Sequence, residues 1–132
     1  MVDIIQPKVD PLPTGIDFTG QTIVITGASA GMGLEIAKQV LILRASTVIL
    51  AVRNVAKDDA CATHSARTTV MELDVDRYDS VQIFTKKLQE EIPVVNILIL
   101  NAGIGLLKLE RSPSEHDCTT QINYYSNVLL IA

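Results

Sequence analysis

The sequence lacks the features that mark membrane, secreted and metal-binding proteins. Its two cysteines, Cys61 and Cys118, stand far apart and do not have the close spacing of metal ligands. No apolar run approaches the roughly 20 residues of a membrane-spanning helix, and the N-terminus has no basic-then-apolar signal pattern. We therefore expect a cytoplasmic protein with free thiols, no bound metal and no membrane partner.

Clusters of basic residues are absent too. The net charge is −4, with 11 lysines and arginines against 15 acidic residues. This balance argues against nucleic acid or an anionic membrane surface as a partner. The composition, 48% hydrophobic and 20% charged, is that of a globular chain, and 132 residues suffice for one domain with a modest core.

The first residues differ in composition from the rest. Residues 1–17 contain Pro7, Pro11 and Pro13 and few large apolar groups. Because proline fixes φ and has no N–H to donate, we predict an extended arm here. The domain itself is then expected to occupy residues 18–132.

The stretch from Thr22 to Arg53 has the pattern of one β-α-β unit. A β-branched run, Thr22 to Thr26, enters a turn rich in glycine, and apolar residues at helical spacing follow. A second apolar run, Thr47 to Val52, closes the unit. Parallel strands joined by a helix are the building block of α/β sheets.

Three glycines punctuate the turn where the first strand gives way to the helix. Gly27 permits a tight exit from the strand, and Gly31 and Gly33 permit close approach of a ligand to the backbone. The first turn of a helix offers unpaired N–H groups and the positive end of the helix dipole, which attract a diphosphate. The pattern predicts a dinucleotide site, with an ordinary strand-to-helix turn as the alternative.

Further strands and helices are predicted along the chain. Residues 55–67 read as a short helix or loop, Thr68–Leu73 as a third strand, and Tyr78–Glu91 as an amphipathic helix. The run Val94–Leu100 has little alternation, which predicts a strand buried on both faces. A last helix is expected to begin near Ser114 or Glu115 and to run to the end, with His116 and Asp117 in its first turn.

Two motifs give the chain a family resemblance. Residues 26–33, TGASAGMG, match the TGxxxGxG pattern of the short-chain dehydrogenases/reductases, and residues 101–103, Asn-Ala-Gly, match a second family motif after the fourth strand. Residues 50–54, Leu-Ala-Val-Arg-Asn, and residues 121–123, Gln-Ile-Asn, look most like the fungal and retinol-dehydrogenase-like members, and the resemblance runs from about Phe18 to the last residue. The resemblance implies an α/β fold of Rossmann type, with three layers, a parallel sheet in strand order 3-2-1-4, and only the N-terminal half of the family domain.

The resemblance also implies which residues form the cofactor site. Asp74 would accept a hydrogen bond from the adenine amino group and the Val75 N–H would meet the ring, although Asp74 could instead be a helix cap or turn residue. The asparagine of the Asn-Ala-Gly motif would brace the strand ends. The complete predicted set is Gly27, Ser29, Gly31, Met32, Gly33, Arg53, Lys57, Asp74, Val75, Asn101, Ala102 and Gly103.

The end of the second strand indicates the choice of cofactor. An acidic residue there bonds the ribose 2′-hydroxyl of NAD, but this sequence has Val52 and then Arg53. A guanidinium attracts a 2′-phosphate, and Lys57 could approach the same group. NADP(H) is therefore favoured over NAD(H). The alternative is that Arg53 and Lys57 are ordinary surface charges.

The catalytic residues that the resemblance implies are mostly missing from the sequence. Asn123 matches the family's active-site asparagine, whose backbone carbonyl holds a water. The alternative is that Asn123 is an ordinary polar residue of the helix. The family also uses Ser and a Tyr-x-x-x-Lys pair, but Tyr124 is followed four residues later by Val128, and no lysine occurs after Lys108. We expect a truncated form that would not transfer hydride unaided.

Two functions remain open at this stage. One is an NADP-dependent oxidoreductase acting on a carbonyl or alcohol of a small, for example secondary, metabolite. The other is a non-redox nucleotide- or partner-binding module, or an enzyme of another reaction type built on the same fold. Because the fourth strand would lie at a sheet edge, we also expect a homo-oligomer or a partner that covers it.

The family commonly has Leu-Gly-Ala between the first helix and the second strand, and this sequence has Leu43-Arg44-Ala45 instead. The middle position is a left-handed helix C-cap, where a residue other than glycine costs about 1 kcal/mol. This cost is tolerable, and the departure suggests a relaxed constraint at Arg44.

Overall fold

The computed structural model describes residues 9–58 and 67–132, apart from the side chains of residues 57 and 58. Cys61 therefore lies outside the described residues, as does the first half of the predicted arm. Residues 9–17, the other half of the arm, form no helix or strand and are largely exposed.

The described elements form four strands and a set of helices. The strands are β1 (Thr22–Thr26), β2 (Thr47–Val52), β3 (Thr68–Glu72) and β4 (Ile97–Ile99). The helices are α1 (Gly31–Ile42), α2 (Val55–Asp58), α3 (Tyr78–Glu91), α4 (Cys118–Thr120) and α5 (Ser126–Ile131), with a π-helical segment, Gln121–Tyr125, joining α4 to α5. Within the described ranges, no helix has the length and apolar character needed to cross a membrane.

The four strands form one parallel sheet in the order β3-β2-β1-β4, which confirms the predicted fold class and strand order. The pleat sends alternate residues of β1 to opposite faces. Ile23 and Ile25 pack with Val40 of α1, whereas Val24 packs with Phe84 of α3. The sheet therefore lies between two helical layers, and its buried central strands, TIVIT and TVILAV, are near-continuous apolar runs rich in β-branched residues.

The fourth strand is shorter and less buried than predicted. The sequence predicts a seven-residue strand over Val94–Leu100, but β4 has three residues, all half-buried, and Val94 is exposed. Two physical reasons account for this. In the described sheet β4 pairs with β1 alone, and after Leu100 the backbone N–H of Asn101 bonds the hydroxyl of Thr26.

The last helix begins later than predicted. It starts at Cys118, not near Ser114 or Glu115, because Glu115 has a left-handed φ of 66° that no α-helix accommodates. Asp117 lies outside the first turn and caps it, since its Oδ1 accepts from the Thr120 N–H at 2.9 Å.

Arg44 adopts the left-handed conformation at this cap, with φ of 70°. The guanidinium of Arg67 donates to the carbonyls of Ala45 at 2.6 Å and Leu41 at 3.1 Å. These bonds satisfy carbonyls at the end of α1 and offset part of the cost of a residue other than glycine at this cap.

Candidate functional site

The turn between β1 and α1 depends on its glycines for two different reasons. Gly27, at φ of 65°, lies so close to Ala102 that an added Cβ would come within 2.9 Å of the Ala102 Cα. A Cβ on Gly33 would lie 2.4 Å from both the Gly27 carbonyl oxygen and Asn101 Nδ2. Gly31 has φ of 58° and open space around it. Packing therefore requires Gly33, and backbone conformation favours glycine at position 31.

The start of α1 is open. Its N-cap, Ala30, is extended and provides no side-chain hydrogen bond, and the first turn contains no acidic residue. The N–H groups of a first helical turn have no partner within the helix and carry its positive dipole end. An anion placed here would find N–H donors and no competing side chain from the helix itself.

Asn101 fixes the shape of this turn from the end of β4. Its Nδ2 donates to the Thr26 carbonyl at 3.0 Å and to the Gly27 carbonyl at 3.1 Å. In return the buried Thr26 hydroxyl accepts from the backbone N–H groups of Asn101 and Ala102, each at 3.0 Å. The asparagine therefore joins the ends of two neighbouring strands, as the sequence predicts.

A cavity of about 440 Å³ lies at the carboxyl ends of all four strands, which is where open parallel sheets bind ligands. Eight predicted site residues line it: Gly27, Ser29, Arg53, Asp74, Val75, Asn101, Ala102 and Gly103.

The remaining predicted residues lie outside the cavity lining. Met32 is largely exposed, Gly33 is buried beneath the turn, and Gly31 lies at the open helix start. Lys57 belongs to α2, and its side chain is outside the described part of the structure. Their part in binding stays a prediction.

Sequence reasoning missed the apolar part of the wall. Four of the missed residues are adjacent to a recognised one and Ala51 lies two positions before Arg53, because strand ends and turns bring chain neighbours into the same cavity. The sequence signal that could have found them is their position beside the recognised motifs. The missed residues are Ala30, Ala51, Leu73, Ile104 and Ile122.

Asn123 lies beside this cavity in the π-helical segment. Its Oδ1 accepts from the Ile104 N–H at 2.9 Å, and its Nδ2 donates to the Ile104 carbonyl at 2.8 Å. This pair of bonds holds the loop after the Asn-Ala-Gly motif. The backbone carbonyl of Asn123 accepts from Asn127 Nδ2 at 3.0 Å, so one acceptor position on that oxygen is used within the chain.

Arg53 and Asp74 supply charge to the cavity. Arg53 is exposed and also lines a second cavity, of about 350 Å³, together with Asp74 and Arg77. Asp74 Oδ1 accepts from the Asp76 N–H at 3.0 Å, so the turn role left open above is present while the residue still lines the wall. Arg77 is paired with Asp79, which raises the pKa of the arginine and lowers the pKa of the carboxyl.

The same fold and motifs occur in known proteins. The sequence model described as short chain dehydrogenase matches residues 21–132. This chain belongs to the short-chain dehydrogenase family. Over its whole length it is 74% identical to short chain dehydrogenase macD of Penicillium terrestre and 63% identical to short chain dehydrogenase yanD of Aspergillus niger. It spans 44% of the length of each of these relatives.

Solved structures also resemble this dehydrogenase chain. A protein of Mycobacterium paratuberculosis is 30% identical with a TM-score of 0.76, over 86% of this chain and 41% of that one. A metagenomic short-chain oxidoreductase in complex with NADP is 27% identical with a TM-score of 0.73, over 86% of this chain and 54% of that one.

Proposed function

We propose that this chain forms the adenosine-diphosphate half of the cofactor site in an NADP(H)-dependent oxidoreductase. The proposed reaction interconverts a carbonyl and an alcohol on a small metabolite, with secondary metabolites as the favoured class. The observation that carries the proposal is the cavity at the strand ends, which combines an open helix start, the exposed Arg53 and the Asp74–Val75 wall.

The fit of the cofactor rests on a cradle that a side chain would fill. Gly31 faces open space at the start of α1, and Ala30 provides no cap, so the diphosphate would accept from N–H groups of the first turn. Asp74 and Val75 would hold the adenine, and the small residues Ala102 and Gly103 would pack against ribose. When bound, NADP(H) supplies the hydride that the reaction transfers.

The preference for NADP(H) over NAD(H) rests on Arg53. Its guanidinium lines the cavity beyond the end of β2, where an NAD-specific site has a carboxylate. A 2′-phosphate would gain a charge-assisted bond there. The neighbour solved with NADP supports this choice of cofactor, and Lys57 is proposed as a second cation for the same phosphate.

A nucleotide titration tests the proposal. We expect the purified chain to bind NADPH more tightly than NADH, and Arg53→Ala to weaken NADPH binding about tenfold with less than a twofold effect on NADH. Lys86→Ala, which removes an exposed cation on α3 away from the cavity, is the matched control. Fluorescence gives the dissociation constants, and absence of NADPH binding at millimolar concentration would contradict the proposal.

Catalysis needs a separate test. The sequence contains no Tyr-x-x-x-Lys pair, so we expect this chain to bind NADPH without turning over aldehydes or ketones. Turnover by the purified chain would show that another group moves the proton.

A partner-binding module is the second candidate. The observation that favours it is an apolar cavity of about 600 Å³ on α3 and α5, lined among others by Tyr78, Tyr124 and Val128. Aromatic side chains are enriched at protein interfaces. On this proposal a second copy or another protein covers that face or the outer edge of β4. Light scattering of the purified chain would then give a discrete oligomer. A monomer at all concentrations would contradict a homo-oligomer.

A further inference from the structure

A chain of buried hydrogen bonds connects the wall of the cofactor cavity to a loop outside it. Ser126 Oγ lies 2.5 Å from the Val75 carbonyl, and Gln121 Nε2 lies 2.9 Å from Ser126 Oγ. Gln121 Oε1 is 2.6 Å from Ser114 Oγ, which is 2.8 Å from Ser112 Oγ. Gln121 and Ser126 are fully buried, and Ser112 nearly so.

The Val75 carbonyl oxygen determines which group donates in each hydrogen bond of this chain. A backbone carbonyl can only accept, so the Ser126 hydroxyl donates its single proton to Val75. Its oxygen must then accept from the Gln121 amide NH₂, which leaves the amide oxygen to accept from Ser114. Ser114 has now used its proton and can only accept from Ser112, whose single proton also faces the His116 carbonyl at 3.2 Å. The donors from Ser114 to Ser126 all point toward the cavity wall, an arrangement in which the bonds strengthen one another.

The π-helical segment makes the central link possible. On an α-helix, side chains three or four residues apart meet, but Gln121 and Ser126 are five apart. The backbone N–H of Ser126 bonds the Gln121 carbonyl, the i→i+5 pattern that places these two side chains above one another. The local widening of the helix therefore serves the polar chain as well as the placement of Asn123.

We infer that Gln121 and Ser126 are positioning residues for adenine recognition, acting through Val75, and that they couple the Ser112–Ser114 loop to the cofactor site. The inference rests on the proposed function, since it takes adenine to lie against Asp74 and Val75, which line the cavity. Without the Ser126 hydroxyl, the Val75 carbonyl and the Gln121 amide lose their buried partners, and the wall is free to shift.

The test compares NADPH with its hypoxanthine analogue, which lacks the adenine amino group. We expect the unmodified chain to prefer NADPH about tenfold, roughly the effect of one hydrogen bond. Ser126→Ala and Gln121→Met should reduce that preference to less than about threefold. Thr85→Val is the matched control, because among the described residues its hydroxyl bonds the Val81 carbonyl of its own helix, α3, and no group of the polar chain. Equal weakening of both nucleotides would indicate a merely structural role and overturn the inference.

Ser114→Ala extends the test away from the cavity. Ser114 is half-buried and does not line the cofactor cavity, so its loss should leave the fold intact. We expect the preference for adenine to fall in the same direction by a smaller factor. An unchanged preference in Ser114→Ala would overturn the coupling to the loop.

Gln121→Glu provides a rescue by a conservative change. A protonated carboxyl can make the two bonds that the amide makes here, donating to Ser126 and accepting from Ser114, whereas a carboxylate cannot donate to Ser126. Burial raises the pKa of a carboxyl. We therefore expect this variant to lose the preference for adenine at pH 8 and to regain it at pH 5.5. Absence of recovery at pH 5.5 would contradict the directions assigned to these hydrogen bonds.

Hydrogen exchange without ligand separates this inference from the proposed function. Amides of residues 74–77 should exchange about tenfold faster in Ser126→Ala and Gln121→Met than in Thr85→Val, since each of the first two variants removes a hydrogen bond of the chain that holds the Val75 carbonyl. Unchanged exchange in a folded variant would overturn the inference. If the unmodified chain bound neither nucleotide, the proposed function would fail, and this exchange result would still decide whether the polar chain holds the wall.

Discussion

Two helices of this chain begin in opposite ways. The first turn of α1 follows Ala30, which has no side chain to cap it. The helix that starts at Cys118 follows Asp117, whose carboxylate accepts from the N–H and hydroxyl of Thr120. One helix start is therefore satisfied by the chain itself, and the other is left with donors for a group from outside.

The surroundings of the two starts differ in the same sense. Small residues, Gly31 and Ala30, leave the α1 start accessible, whereas Cys118 is buried against Asp76. Carboxylates and phosphates bind helix N-termini through the same N–H groups. The difference is the basis for proposing that the nucleotide binds at the α1 start, and variants at either helix start can test it.

The largest effect is expected from closing the α1 turn. Gly33→Ala places a Cβ within 2.4 Å of the Gly27 carbonyl, so the free energy of unfolding should fall by about 3 kcal/mol. Gly31→Ala meets no atom within 4 Å, and its positive φ should cost only about 1 kcal/mol. Urea unfolding measures both values, and equal losses would show that backbone conformation, not packing, sets the need for glycine.

The second effect concerns the thiol at the capped start. A helix N-terminus lowers the pKa of a cysteine, but burial, the hydrogen bond to Asp76 and nearby carboxylates raise the pKa of Cys118 to about 11. In Cys61→Ser we expect iodoacetamide to alkylate Cys118 at pH 8 about 100 times more slowly than after unfolding. The rate should rise as the pH approaches that pKa, and a fast reaction at pH 8 in the folded chain would contradict this.

The third effect comes from giving α1 a cap of its own. Ala30→Asp places a carboxylate where the phosphate is proposed to bind, so NADPH affinity should fall about tenfold or more, while the free chain gains up to about 1 kcal/mol of stability. Ala30→Asn is the control, because it caps without charge and should weaken binding less. Titration calorimetry and thermal unfolding measure the two quantities, and unchanged affinity would place the nucleotide elsewhere.

The smallest effect is expected from opening the other start. Asp117→Ala removes the cap and should cost about 1 kcal/mol of stability. It should not change NADPH affinity, because Asp117 does not line the cavity. Asp117→Asn keeps a capping oxygen and should recover most of the loss in urea unfolding. A change in NADPH affinity with Asp117→Ala would show that the two helix starts are energetically coupled.

The central part of the fold follows from its sequence because the local signals agree with the tertiary structure. The β1-α1-β2 unit and the helix Tyr78–Glu91 have strong periodicity and clear ends. Prediction was weaker where another part of the chain decides the outcome. The end of β4 depends on Thr26, which lies far away in sequence, and the start of the last helix depends on the left-handed φ of Glu115.

The candidate site shows the same division. The motif residues that line the cavity, such as Asn101 and Asp74, are recognisable one by one. The polar chain through Gln121 and Ser126 is not, since its partners come from separate segments and its central link needs a π-turn. Sequence spacing assumes regular helices, so it hides pairs that only an irregular helix brings together.

The hydrogen bonds from the Asn101 side chain to the end of β1 have a consequence for how the chain folds during synthesis. The carbonyls that it holds belong to residues made 74 and 75 positions earlier. A growing chain can form the first strand and helix early, but the turn between them receives its brace only after the fourth strand has emerged and docked. Nucleotide binding to a nascent chain would therefore report the moment at which that strand joins the sheet.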